Sequence, residues 1–443
     1  MSDLTPLDSY QPVYAVPEWN LTPVSEHLTR MTPIPASRMF LINKSLKVYQ
    51  QKYPGSPIFD ASQGDGGASL PGVPREILEK AAQMQIENGT AYDMPFGTEA
   101  FRRSVVEDYW QLDSGSGIGP GNVLAAVGGR DALVKAYQAM LALGYGRAGD
   151  ALVVSRVPWI SYNWGPYGVG ANVIWAPGEP EQGWVYSEDS LRECVEFAAR
   201  SGRKVAGVVI TCPDNPTGLT ITVDKQASLA RAALQAGVAF VLFDWMYHYV
   251  TDEKPMDLNS FIGFFAPEER KRLIFLDGIT KSLGASNIRN CHLIASEEVV
   301  KFTVARASHA VIPSFYSLAV AMAAYQLGYA QASRTIVEPT NASRLVLKDF
   351  LDRQGFTYIL GKGYYAFIHV GKWLEQCGWP DSEPLGQYLA EEHGVAIVPG
   401  AFFSPFGGEW IRFSYATPSE RTQGAAERLV AGLKALVSGH PPL

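Results

Sequence analysis

Between about residues 98 and 300 the chain alternates helical hydrophobic patterns with short apolar, β-branched runs, and this alternation is the tightest constraint on its fold. The short runs are ALVVS, NVIWA, VAGVVIT, AFVLFD, RLIFLD and CHLIAS. Continuously apolar strands of this length are covered on both faces, which is how a parallel sheet between helices reads. SEDSLRECVEFAAR and VDKQASLARAALQAG separate some of them as helices. TEAFRRSVVEDYW sets Phe101, Val105 and Tyr109 on one helical face behind a Thr98 cap, and DALVKAYQAMLAL follows Gly128-Gly129 in the same way. Beyond residue 314 the pattern changes to long helices, then YYAFIHV, a helix over EPLGQYLAEEH, the strands VAIVP and WIRFSYA, and a final helix from about Pro418. The expected architecture is α/β: a large domain with a mostly parallel sheet in an α/β/α sandwich, and a smaller α+β domain. The expected divisions are an N-terminal arm with a small-domain contribution over 1–57, a large domain over 58–325 and a small C-terminal domain over 326–443.

Nearly half of the 443 residues are hydrophobic, enough for a large core. Lys and Arg number 37 against 44 Asp and Glu, a net charge of -7 that gives no electrostatic reason to expect nucleic acid or an anionic membrane as partner. A small anionic ligand would need a local basic site. Cys194, Cys212, Cys291 and Cys377 are far apart with no CxxC pair, so zinc-type spacing is absent and a disulfide framework is not expected. The first thirty residues, with Pro6, Pro12, Pro17 and Pro23, have neither the basic start nor the apolar core of a secretory signal. No segment has the apolar length of a membrane span. A cytoplasmic protein is the expectation, its Pro-rich start an arm lying on a neighbour.

The residues that carry chemistry fall along the sheet pattern. Lys281, in the pair Thr280-Lys281, follows the strand run LIFLDG at the edge where open α/β sheets bind ligands. A lysine amine lowered by desolvation and a nearby cation is a nucleophile toward an aldehyde, and later a proton carrier. Asp244 ends the apolar run FVLFD, where a carboxylate needs a cationic partner such as a protonated pyridine nitrogen. A structural Asp capping the next helix is the plainer alternative.

Asn215, in the turn PDNPTG, and Tyr247 are donors for a ring hydroxyl, although PDNPTG alone is only a turn. Gly128, Gly129 and Arg130 precede a helix whose free N–H groups suit a phosphate, and Arg289 adds a forked donor. Trp159 follows ALVVS and suits stacking on an aromatic ring, or plain core packing. Arg412 lies in WIRFSYA on the strand face opposite Ile411 and Phe413, where an inward guanidinium requires an anion: a substrate carboxylate or a structural partner. One ligand uses all of these groups together, the phosphorylated aromatic aldehyde pyridoxal 5'-phosphate.

In their order and spacing these motifs resemble the class I/II aminotransferases of the fold-type I pyridoxal-phosphate-dependent enzymes, over roughly residues 58 to 420. The resemblance implies the fold-type I transferase architecture, with residues 58–325 as the cofactor-binding domain. It implies Lys281 as the Schiff-base lysine, Asp244 at the ring nitrogen, Asn215 and Tyr247 at the ring hydroxyl, and Arg289 with Gly129 and Arg130 at the phosphate. It further implies Arg412 at the substrate carboxylate with Gly64 of SQGDGG nearby. AYDMPFGTEAFRRSV resembles the segment whose tyrosine crosses a dimer interface to the partner's phosphate, which places that role on Tyr92 and implies a homodimer with shared active sites.

Three positions depart from the family pattern. Gly278 stands where a second hydroxyl residue is often found, Trp245 follows Asp244 in place of an acidic residue, and Asp65-Gly66-Gly67 replaces the usual turn. The implied activity is transamination between an amino acid and an α-keto acid. A lyase, cyclase or oxidase of an amino acid would use the same apparatus. A non-catalytic binding protein on this fold is the reading from another class, weakened by the presence of every reactive group. Tyr162, Trp164, Tyr316, Phe402 and Phe403 are candidate aromatic residues at the pocket mouth for a bulky or cationic substrate side chain, or packing residues.

Overall fold

The computed structural model describes Ile34 and residues 37–438. Most of the expected Pro-rich arm lies outside these residues. All six strand runs form strands within two residues of their expected limits: Ala151–Val154, Asn172–Trp175, Val205–Thr211, Phe240–Asp244, Leu273–Asp277 and Cys291–Ile294. A seventh, Val123–Ala126, joins them. Its sequence VLAA is short and half alanine, so it carries no β-branched signature. In chain order these strands are β1 (Val123–Ala126) to β7 (Cys291–Ile294), arranged β1-β7-β6-β5-β4-β2-β3. Strand β7 runs antiparallel to both β1 and β6, and the other pairs are parallel. The parallel strands therefore end along one edge, where β5 finishes at Asp244 between Thr211 and Leu276. Two apolar clusters cover the two faces, one including Val153, Val208 and Phe243, the other Leu152, Val209 and Leu242, as the alternation of side chains along each strand requires.

The Thr98 cap forms, its Oγ1 accepting from Phe101 N at 3.1 Å, and Phe101, Val105 and Tyr109 are buried as expected. The expected single helix changes character, with an α-helical part Glu99–Ser104 followed by a π-helical turn Val105–Tyr109. The wider turn carries Tyr109 to Asp277, where its hydroxyl donates at 2.5 Å.

A second sheet comprises β8 (Tyr358–Leu360), β9 (Tyr365–His369), β10 (Val398–Pro399) and β11 (Trp410–Ser414), antiparallel in the order β10-β11-β9-β8. The run VAIVP is not one strand. Val395–Ala396 pairs in parallel with Phe59–Asp60, while Val398–Pro399 pairs with β11, so Ile397 is the point where the chain changes sheets. Helices Arg334–Gln354, Ser382–His393 and Ser419–Ser438 pack beside this sheet, and helix Met39–Lys52 packs on Ser382–His393. Among the described residues no helix is long and apolar enough to cross a membrane.

Candidate active site

The edge where the parallel strands end borders a cavity of about 680 Å³, and most residues singled out from sequence line it: Gly64, Gly129, Arg130, Trp159, Asn215, Asp244, Tyr247, Thr280, Lys281, Arg289 and Arg412. Its charged lining is four cations, Arg130, Lys281, Arg289 and Arg412, against two carboxylates, Asp60 and Asp244. A chain of net charge -7 thus carries a locally positive pocket.

Lys281 follows β6 and donates from Nζ to the Gly64 carbonyl, which ties the loop after Phe59–Asp60 to the sheet edge. Burial lowers its pKa, with Arg412 and Arg130 acting the same way and Tyr365 and Asp65 opposing. A larger neutral fraction of the amine is what a carbonyl-attacking lysine requires. Asp244 is buried, and its Oδ1 accepts from Met246 N at 3.1 Å. Its Oδ2 accepts from the Tyr162 hydroxyl at 2.7 Å. Burial lifts its pKa to about 6 despite these two donors and the opposing charge of Lys281, and among the described residues no cation pairs with the carboxylate directly. A protonated ring nitrogen would supply one.

Arg412 leaves the middle of β11, opposite Phe367 and Val398. Its Nη1 donates to Asn215 Oδ1 and its Nη2 to the Ser62 carbonyl, both at 2.9 Å. Both acceptors are neutral and its buried Nε finds no acceptor, so the guanidinium sits in the pocket without a counter-ion among the described residues. Because Arg412 takes the Asn215 oxygen, the Asn215 amide nitrogen is the group left to donate.

Helix Gly129–Gly144 opens at the pocket with Gly128 as its N-cap at φ +77°. Arg289 lies across Gly128 so closely that a Cβ there would collide with the guanidinium. Its Nη1 donates to the Ser286 carbonyl at 2.8 Å and its Nη2 to Val127 at 3.2 Å, which aims the fork along the helix start. Thr280 and Ser286 also line the cavity, and the buried Ser286 hydroxyl has no partner among the described residues. Free helix N–H groups, two guanidinium groups and hydroxyl groups form a donor set for a dianionic phosphate. With the Asp244 carboxylate, the Lys281 amine and the Trp159 indole across the same cavity, the residues present fit pyridoxal 5'-phosphate.

The structure also accounts for the departures. At Gly278 a Cβ would stand 2.8 Å from Cys291 Cα and 3.0 Å from the Asn290 carbonyl, so β7 leaves no room for a hydroxyl side chain. Trp245 is fully buried, donates to Gln226 Oε1 at 2.9 Å and packs on Phe261, an environment costly for an acid. Asp65 caps the turn Gly66–Ala68 by accepting from Gly67 N at 3.1 Å.

The aromatic mouth is only partly present. Tyr162 lines the cavity as the Asp244 partner. Trp164 and Phe402 are buried off the lining, Phe403 is fully buried with the Arg412 guanidinium 5.3 Å from its ring, and Tyr316 packs on the core of the large sheet. Tyr92 is 95 % exposed and outside its own chain's pocket. Sequence reading missed Tyr365, whose hydroxyl is 2.9 Å from that of Tyr247, and helix Met39–Lys52, which adds Met39, Ile42 and Asn43 to the lining. Tyr365 lies in the recognised strand run YYAFIHV, but two adjacent tyrosines on opposite strand faces give no sign of which one faces the pocket. Among the described residues no cluster of three or more His, Cys, Asp or Glu is arranged to hold a metal.

Comparison with known proteins shows the family of the chain. An aspartate aminotransferase of Bacillus subtilis is 24% identical over 361 residues, 81% of this chain and 87% of its own. An aspartate/prephenate aminotransferase of Thermus thermophilus is 26% identical over 361 residues, 80% of this chain and 86% of its own. The structure of aspartate aminotransferase from Thermus thermophilus with maleate superposes with a TM-score of 0.74 at 23% identity, covering 93% of this chain and all of that one. The family model described as aminotransferase class I and II matches residues 59–429, and the chain therefore belongs to that family of pyridoxal-phosphate-dependent enzymes.

Proposed function

We propose that this aminotransferase moves an amino group between an amino acid and an α-keto acid, with Lys281 as the residue that holds the cofactor covalently and carries the α-proton. The observation that carries the assignment is the convergence of Lys281, Asp244 and the counter-ion-free Arg412 on one cavity. When bound, the cofactor supplies an aldehyde for amine linkage and a ring that accepts the electron pair released at the substrate α-carbon. Asp244, held by Tyr162 and Met246 N, would pair with the ring nitrogen and favour its protonated form. Asn215 and Tyr247 would donate to the ring hydroxyl, and Gly129, Arg130, Thr280 and Arg289 would hold the phosphate; Gly128, expected there too, gives its N–H to the Ala126 carbonyl at 2.9 Å and lies off the lining, so it shapes the turn instead. Trp159, on the same lining, would offer its indole to the ring. Arg412, fixed by Asn215 and Ser62, receives the substrate carboxylate as a bidentate fork beside Gly64. The Lys281 amine, kept more neutral by burial, would be the group that carries the substrate α-proton. Tyr92 serves the phosphate of the other subunit in a homodimer, consistent with its exposure here.

Charge balance within one subunit narrows the substrate. Arg130 and Arg289 would meet the phosphate, Arg412 the α-carboxylate and Lys281 the aldehyde, which leaves no further lining cation among the described residues of one chain for a side-chain carboxylate, while Asp60 adds a negative charge. Neutral or cationic side chains therefore suit this pocket better than the aspartate in the relatives' names. The test is borohydride reduction of the holoprotein with peptide mapping, followed by an amino-acid panel with and without a keto acid. A pyridoxyl label anywhere but Lys281 refutes the assignment. Sustained product formation without an acceptor replaces transamination by elimination, cyclisation or oxidation.

A further inference from the structure

Tyr365 was not among the residues expected from sequence, yet it touches three parts of the site. It is 1 % exposed and lines the cavity from β9. Its hydroxyl is 2.9 Å from the Tyr247 hydroxyl. Its ring lies 4.2 Å from the Arg412 guanidinium carbon, a cation–π contact. On the third side it explains a glycine: a Cβ on Gly64 would stand 2.8 Å from the Tyr365 hydroxyl and 3.9 Å from Lys281 Nζ. Phenylalanine would supply the ring contact equally well, so the hydroxyl needs its own explanation.

We propose that Tyr365 is a positioning residue whose phenol donates to the Tyr247 hydroxyl oxygen and so directs the Tyr247 proton at the ring hydroxyl of the cofactor, while its ring braces Arg412. The direction follows from proton count. A phenol has one proton to give and lone pairs to receive, so if Tyr247 donates to the cofactor it must accept from Tyr365. One side chain then couples the two halves of the site, the cofactor hydroxyl through its oxygen and the substrate carboxylate through its ring. The charged and titratable groups facing the pair include Lys281, Arg412, Tyr364, Tyr415 and, through Lys281, Asp65. This inference rests on the cofactor assignment above.

The experiment is a pH titration of the holoenzyme's visible absorbance in Tyr365→Phe, Tyr247→Phe and the double variant, with KM for the amino acid measured alongside. Tyr365→Phe should move the absorbance midpoint upward by about half to one pH unit, because the ionised ring oxygen loses support the size of one neutral hydrogen bond. KM should change less than about twofold, since the ring under Arg412 remains. In the Tyr247→Phe background the further shift should vanish. Tyr365→Leu should raise KM as well. An unmoved midpoint in Tyr365→Phe, or the same shift with Tyr247 already replaced, overturns the proposal. If the phenylalanine variant does not accumulate, Gly64→Ala displaces the hydroxyl from the other side and should move the midpoint in the same direction; no movement there counts equally against it. Absence of any visible band in the native holoprotein would instead defeat the cofactor assignment.

Discussion

The two sheets serve the pocket in different ways. The seven-stranded sheet presents its chemistry at strand ends: Asp244 is the last residue of β5 and Lys281 lies in the loop after β6, so parallel direction alone brings them to one edge. The four-stranded sheet presents Arg412 from the middle of β11, where side-chain parity decides what faces the pocket. End residues tolerate small shifts of register. A mid-strand residue does not, because a slip of one position would turn Arg412 away and bring Ile411 or Phe413 in. On the proposed roles, cofactor chemistry would depend on topology and substrate alignment on register.

The sharpest break of this comparison is Lys281→Ala, which should abolish the covalent link and lower turnover about ten-thousandfold while leaving the fold and phosphate site intact, as judged by non-covalent retention of cofactor. Arg412→Ala tests the other sheet and should raise KM about a hundredfold with the visible absorbance retained; loss of that absorbance would mean that Arg412 serves the cofactor. Arg412→Lys should recover little, since the ammonium cannot reproduce the fork held by Asn215 and Ser62.

Asp244→Asn separates the two regions by pH. Asp244 is raised to about 6 by burial, above its unfolded value near 4. The folded apoprotein therefore binds more protons than the unfolded chain in that interval, and stability falls as pH rises from about 4 to about 6, with the penalty complete above. Asp214, also raised to about 6 by burial, titrates in the same window, so only the difference between wild type and Asp244→Asn isolates Asp244. Removing the carboxylate should flatten part of the fall, worth on the order of 2 kcal/mol at neutral pH by thermal unfolding. Cofactor binding should flatten it in wild type as well.

The smallest expected effect is at Gly128→Ala. A side chain there both strains a left-handed backbone and displaces Arg289, so cofactor affinity should fall about tenfold in equilibrium dialysis, with the substrate KM of the saturated enzyme unchanged.

Much of the site was legible because its groups are punctuation at element ends. A carboxylate closing an apolar run, a lysine after the next strand and paired glycines before a helix each violate a local rule that a structural role would not require. Strand β1 was not legible because two alanines and no β-branched run separate it from a buried helix turn only by its partner β7. The break at Ile397 was equally hidden, since VAIVP satisfies the strand pattern throughout and only the positions of Phe59–Asp60 and β11 divide it.

The sequence by itself determined the class of fold, the strands of the large sheet other than β1, and the groups able to grip a phosphorylated aromatic aldehyde, because periodicity and breaks in periodicity are properties of the chain. Tertiary structure alone decided the partners. Tyr162 became the donor to Asp244 on the cavity lining, the Tyr365 hydroxyl and not that of Tyr364 met the Tyr247 hydroxyl, and Asn215 met Arg412 across 197 positions. Such pairings depend on which faces of separate elements are brought together, and no local pattern contains that information.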